Sequence, residues 1–213
     1  MKGPPVMLNK RRDADYSSAF SIAFIVLLVL VLLALLFDFW FANSYYLVDV
    51  SGPSMENTVQ NGDILYAKRD FSAKRGDIVI IDVSEHPDFR ASDDSAQEHN
   101  IIKRLIGIAG DKIKCESGVL YRAVEGGEYE PLEEPYAKGF TESFAEVVLC
   151  EGEIFVMGDN RTVSKDSRRC SIPLTEAEIV GVVPKWSVQY KETIGSWENF
   201  RFRLNSGWRS LFA

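Results

Sequence analysis

Asn100-Ile101-Ile102-Lys103-Arg104-Leu105-Ile106-Gly107-Ile108 reads as a β-strand, with two cations set among aliphatic neighbours. Alternation along a strand puts Ile101 and Leu105 on the face that carries Lys103, and turns Arg104 to the other face, toward solvent or a carboxylate. A lysine aligned with buried positions is unusual, because lysine is almost never fully buried without a reason. Desolvation lowers the pKa of such an amine from its free value of about 10.4, which makes it a base near neutral pH. The competing reading of Lys103 is an edge-strand lysine that discourages aggregation.

Outward from this run the chain reads as β. Ser44–Val50, Asp63–Lys68, Asp77–Val83, Lys112–Lys114, Val119–Arg122, Glu153–Met157 and Ile179–Val188 are short and rich in Val, Ile and Tyr. Turn signals punctuate them at Asn61-Gly62-Asp63, Arg75-Gly76-Asp77, Ala109-Gly110-Asp111 and Gly126-Gly127. The expectation is one mostly antiparallel β domain over roughly residues 44–190. Past residue 45 only Thr175–Ile179 reads as helical, and only as a single turn. Ser84–Glu98 is a polar loop, and the acidic, Gly-rich Glu125–Glu146 reads as an exposed hairpin or flap.

Upstream lies a different solvent. Ala19 to Phe37 is nineteen consecutive uncharged positions, apolar apart from Ser21. At about 1.5 Å per residue they cover the roughly 30 Å hydrocarbon core of a bilayer. Lys10, Arg11 and Arg12 precede the run and Asp38 follows it, so the N-terminus is expected in the cytoplasm. Tyr16 on one side, and Phe37, Phe39, Trp40, Phe41, Tyr45 and Tyr46 on the other, suit aromatic belts. A cleaved signal peptide is the rival, but the run exceeds the usual ~7–15 residues and Trp40 and Phe41 crowd Ala42. The tail Tyr190–Ala213 mixes Trp197, Phe200, Phe202, Trp208 and Phe212 with Arg201, Arg203 and Arg209. It reads equally as an interfacial segment at the outer leaflet or as a terminal strand or helix capping the β core.

The formal net charge of −7 argues against a nucleic-acid partner, since phosphate binding needs clustered cations. Three cysteines define no disulfide framework, although Cys115 and Cys150 flank the acidic insertion and could pair outside the cytoplasm. His86 and His99 are the only histidines, so a Ser–His–Asp site would depend on one of them. No metal or organic cofactor is expected.

A base needs a nucleophile. Val50-Ser51-Gly52-Pro53-Ser54-Met55-Glu56-Asn57-Thr58 places Ser54 in a Gly/Pro-stiffened turn, some twelve residues past Ala42 and so within about 40 Å of it. Serine alone is a weak nucleophile and requires an adjacent base. A third block, Gly158-Asp159-Asn160-Arg161-Thr162-Val163-Ser164-Lys165-Asp166-Ser167-Arg168, offers support for both. There Asp159, Asp166, Arg161 and Arg168 can pair in bidentate fashion, and Ser164 can orient an amine.

Together these blocks resemble the type I signal peptidases, membrane-bound serine–lysine proteases that remove signal peptides from exported proteins. Gly52–Thr58 resembles the family's nucleophile block and Arg75-Gly76-Asp77-Ile78-Val79 its structural strand. Lys103–Asp111 resembles its lysine block, and Gly158–Arg168 its closing block. The matches run in family order over residues 50–186. The resemblance implies Ser54 as nucleophile and Lys103 as general base, with Ser164 positioning the lysine. Asp166 and Arg168 would brace that site, Asp159 would support it, and Met55 would sit beside the substrate pocket. It also implies an antiparallel β protease domain that grips an extended substrate by strand addition. The implied layout is cytoplasmic residues 1–17, a transmembrane helix 18–42, an extracytoplasmic protease domain 43–190 and a C-terminal segment 191–213, in the plasma membrane. Its partners would be signal peptides of secretory preproteins and the lipid bilayer.

Two positions depart from the family pattern. Asn57 stands where proline is usual, which predicts a less rigid turn after Ser54. Gly52 stands where some members carry an oxyanion-stabilising hydroxyl, so the Ser54 N–H would carry much of that role; Ser51 is one place too early and is not assigned. The self-cleaving repressors also use Ser–Lys on a β fold, but they are soluble and carry a DNA-binding segment that is absent here. The endoplasmic-reticulum signal peptidases have histidine where this chain has Lys103. From another functional class, the alternative is a catalytically silent, membrane-tethered β module for binding or assembly.

Overall fold

A computed structural model describes residues 10–89 and 100–211, in two compact units that divide after Ser44. The first is helix α1, Lys10–Ser44. Its stretch Ala19–Ser44 has 26 residues and no buried positions, and its most apolar 18-residue window has a mean hydropathy of 3.3. Twenty-six residues at ~1.5 Å rise exceed the hydrocarbon core, and apolar side chains on every face suit lipid rather than a protein interior. Side chains one turn apart stack along it, with Phe37 at 5.8 Å from Trp40 and 6.0 Å from Phe41.

The second unit is built on two antiparallel sheets. The larger contains β1 Tyr45–Asp49, β2 Ile64–Lys68, β3 Ile78–Asp82, β4 Asn100–Gly107, β9 Glu153–Met157, β10 Leu174–Thr175 and β11 Ile179–Val183, ordered β1-β2-β11-β3-β4-β9-β10. The smaller contains β5 Lys112–Glu116, β6 Val119–Ala123, β7 Glu130–Pro131 and β8 Phe144–Val148, ordered β7-β6-β5-β8. Strand β3 shows why the larger sheet is buried on both faces. Ile78 and Ile80 pack with Val50, Met55, Leu65 and Ile102. Val79 and Ile81 point the other way, into Ile101, Leu105, Ile154 and Val156. A continuous apolar run, rather than an alternating one, is what such a position requires. Each fully buried Ile or Val contributes about 1.5–3 kcal/mol. Beside it, β4 is buried from Ile101 through Gly107, cations included.

Several expectations are corrected. The last predicted strand stops at Val183, because Pro184 fixes φ and donates no ladder hydrogen bond. Helices α2 Lys185–Gln189 and α3 Lys191–Leu211 follow, so the tail takes the helical form of the cap, although no helical periodicity was read there. Helix α3 begins as a cap on the β core: Ile194 is buried, Lys191 Nζ reaches Asp63 at 2.7 Å, and the Tyr66 hydroxyl donates to Glu198. The acidic insertion is largely exposed, as read, but it also supplies β7 and most of β8, and the Lys138 N–H ties it to the Asp159 carbonyl of the closing block. The three cysteines are unlinked, Cys115 buried and Cys150 exposed. His86 and Phe89, read as members of a polar loop, are buried at 4% and 5% exposure, while His99 lies outside the described residues.

Candidate active site

Ser54 sits on a turn anchored from below. Val59 and Glu56 donate to the Met55 and Pro53 carbonyls, at 2.9 and 3.1 Å. Met55 and Val59, at 1% and 0% exposure, fix the turn in the apolar cluster under β2 and β3. Met55 is thus a core anchor and not a lining residue of the cleft described below. Gly52 takes φ +84°, which a side chain would strain, and its N–H is capped by Asn61 Oδ1 at 2.9 Å. Asn57 also has a left-handed φ, +98°, and its side-chain amide donates to the Tyr136 carbonyl. Proline, locked near −65°, cannot adopt that conformation. The departure at 57 therefore belongs to a differently shaped turn, held by its own hydrogen bond.

Strand β4 delivers the amine. Lys103, opposite Val79 in register and 4% exposed, places Nζ 2.8 Å from Ser54 Oγ. The same nitrogen donates to the Ile102 carbonyl at 3.0 Å. An amine so enclosed, with a hydroxyl within hydrogen-bond reach, has the geometry of a nucleophile and its base.

Arg104 turns the other way and finds its carboxylate. Its guanidinium grips Asp159 at 2.8 and 2.6 Å and donates to the Gly76 carbonyl. Asp159 has no exposure and also accepts from the Thr58 hydroxyl, so it ties the end of the Ser54 loop to β4. Asp166 and Arg168 pair at 2.8 Å through both guanidinium contacts, and Asp166 also accepts from the Gly158 N–H. Arg161 pairs with neither aspartate. It is clasped by Glu134 of the insertion, and the Tyr136 ring covers Arg104 at 3.9 Å. Sequence reading missed Glu134, Tyr136 and Asn160, whose N–H donates to the Ser54 carbonyl at 3.0 Å. An acidic insertion beside a block with three cations, Arg161, Lys165 and Arg168, against two aspartates was the available signal.

Gly158 is required for closeness rather than for a turn. A methyl group there would collide with the Ser54 carbonyl oxygen and with the Ser164 hydroxyl. Ser164 is fully buried, and its Oγ makes no hydrogen bond among the described residues. Its nearness nonetheless helps to favour the ionised form of Asp166.

Burial pushes the Asp166 carboxyl up, but Arg168 and the Gly158 N–H outweigh it and hold the group below the usual carboxylate range. A depressed folded-state pKa gives stability that is present above the unfolded value of about 3.9 and is lost as pH falls through the folded value. Asp166→Asn should therefore flatten the fall in unfolding free energy between pH 5 and 2, measured by denaturant titration. An unchanged slope would assign that acid sensitivity to other carboxylates.

Ser54 and Lys103 open onto a cleft of about 810 Å³. Its lining includes Val48, Ile80, Ile102 and Val163, together with Tyr46–Asp49 of β1, a strand that pairs only with β2 among the described strands. The family model for signal peptidase, peptidase S26, matches residues 19–188.

The chain belongs to the signal peptidase family.

This signal peptidase is 35% identical over 152 residues to signal peptidase I of Bacillus licheniformis, covering 67% of this chain and 74% of that one. It is 32% identical over 170 residues to signal peptidase I T of Bacillus subtilis, covering 73% and 78%. A solved signal peptidase I from Enterococcus faecalis is 24% identical with a TM-score of 0.41, covering 54% of this chain and 98% of that one.

Proposed function

We propose that this signal peptidase cleaves signal peptides from secretory preproteins with Ser54 as nucleophile and Lys103 as general base. The observation that carries the reading is the 2.8 Å contact between Ser54 Oγ and a lysine nitrogen with 4% residue exposure. With the amine neutral, the serine hydroxyl donates along the same line and Oγ attacks the scissile carbonyl. The proton passes to Nζ, which returns it to the leaving amine as the tetrahedral intermediate collapses. Lys103 then deprotonates a water that hydrolyses the Ser54 ester. The Ser54 N–H stabilises the oxyanion. Ser164 acts as a positioning residue, its fully buried hydroxyl lying between Gly158 and Asp166 beside the dyad. Substrate lies extended along the free edge of β1, with small side chains against Val48, Ile80 and Ile102.

Helix α1 anchors the enzyme in the plasma membrane by a single pass, with the N-terminus cytoplasmic and residues 43–190 outside. Basic residues before the apolar run and Asp38 after it support this orientation. A silent binding module leaves the buried amine at the serine without a purpose.

A lysine base works only when deprotonated, so kcat/KM on an exported precursor should climb with pH from 5 until the amine is neutral, then level off. A profile flat from pH 5 to 10 would remove Lys103 from the role of base.

A further inference from the structure

A second group of ligating side chains lies where the chain leaves β3. His86 is 4% exposed, yet its Nδ1 has no hydrogen-bond partner among the described residues. Its Nε2 stands 3.1 Å from the Ile172 carbonyl oxygen. A carbonyl only accepts, so Nε2 carries the proton, and in the neutral ring Nδ1 presents a bare lone pair. Asp88 Oδ2 lies 3.9 Å from that nitrogen, beyond hydrogen-bond reach. Cys170 Sγ completes the group, in which the three ligand atoms lie within 4.8 Å of one another. Buried polar atoms are rarely left unpaired, and this one lies within 4.8 Å of two other metal-ligating atoms.

We propose that His86 Nδ1, the Asp88 carboxylate and Cys170 Sγ bind one zinc-class divalent cation, which clips the exit of β3 to the end of the closing block. A tetrahedral zinc with N and O ligands at ~2.0–2.2 Å and sulfur at ~2.3 Å needs its ligand atoms roughly 3.3–3.8 Å apart. A contraction of roughly 1 Å, within the reach of side-chain rotation, supplies that geometry, and water takes the fourth position. The surroundings have the supports a metal site uses. The Ile172 carbonyl fixes the histidine tautomer, while the Ser171 N–H and hydroxyl hold Asp88 at 2.7 and 2.8 Å. A mixed N, O and S donor set selects zinc or cobalt over calcium or magnesium. As sulfur binds, the Cys170 thiol proton leaves to solvent. The ligands come from segments some eighty residues apart, which is why no metal-binding spacing shows in the sequence.

The test uses the full chain, purified in detergent and stripped with a chelator. Titration with Co²⁺ should raise a thiolate-to-cobalt charge-transfer band that saturates at one equivalent, is displaced by Zn²⁺ and is missing in Cys170→Ser. Zn²⁺ at about a hundredfold over its Kd should raise the Tm by roughly 5–10 °C, an increment lost in His86→Ala and Cys170→Ser. The Tm of each variant in chelator reports whether it is folded. No thiolate band in the parent, or a band that survives in folded Cys170→Ser, would overturn the site; a bare imidazolium–carboxylate pair between His86 and Asp88 gives that first result.

Discussion

Lys103→Ala will cleave an exported precursor between about 10⁴- and 10⁶-fold more slowly than the parent, the range seen when one member of a nucleophile–base unit is removed. Ser54→Ala should fall equally far, and the double variant no further, because the two groups act as a unit. The lysine variant loses its amine from an apolar strand and so gains no buried charge. Its fold should hold, since β4 is secured by Ile101, Ile102, Leu105 and Ile106. Cleavage of the precursor, followed by gel mobility with circular dichroism as the folding control, reads the result. A folded Lys103→Ala enzyme that retains a tenth of the parent rate would remove the dyad from the mechanism.

Asp159→Asn is the substitution expected to cost most in stability. The change keeps the side chain's shape but strips the charge that faces Arg104, whose residue is 9% exposed. It also weakens the acceptor used by Thr58, which closes the Ser54 loop. Breaking a buried pair from one side costs about 3–5 kcal/mol, because the remaining charge stays dry and uncompensated. For a domain of this size that is a fall in Tm of roughly 6–20 °C. Replacing both partners with apolar residues should recover much of the loss, as the orphaned charge is then gone. Thermal unfolding of the three proteins decides it: a drop under about 2 °C in the single variant would show that Arg104 finds another partner.

The sheet core was legible because its signal is local. Ile78-Val79-Ile80-Ile81 and the run around Lys103 declare strands from composition alone, and a lysine among them asks for an explanation; that both faces are buried shows only in the sheet. Ser54, Asp166 and Arg168 were legible through their order along the chain. What stayed hidden depends on distant partners. Arg161 found Glu134 across 27 residues, and nothing in either segment ranks that pairing above Asp159 or Asp166. Helix α3 was obscured by Thr193, Ile194, Gly195, Trp197 and Phe200, all weaker helix formers than alanine or leucine. Its first turns are held instead by Lys191 and Glu198 reaching the β core. The turn at Asn57 was misjudged because a missing proline was read as missing rigidity, when the backbone there is left-handed.

The separate state of Cys115, Cys150 and Cys170 has a practical consequence. No covalent staple is closed during maturation, so the β unit can reach its final shape in a reducing host cytosol as readily as in an oxidising one. Recombinant production then requires neither an isomerase nor an air-oxidation step. Thiol reductant in the purification buffer guards Cys150 on the surface while leaving the architecture intact.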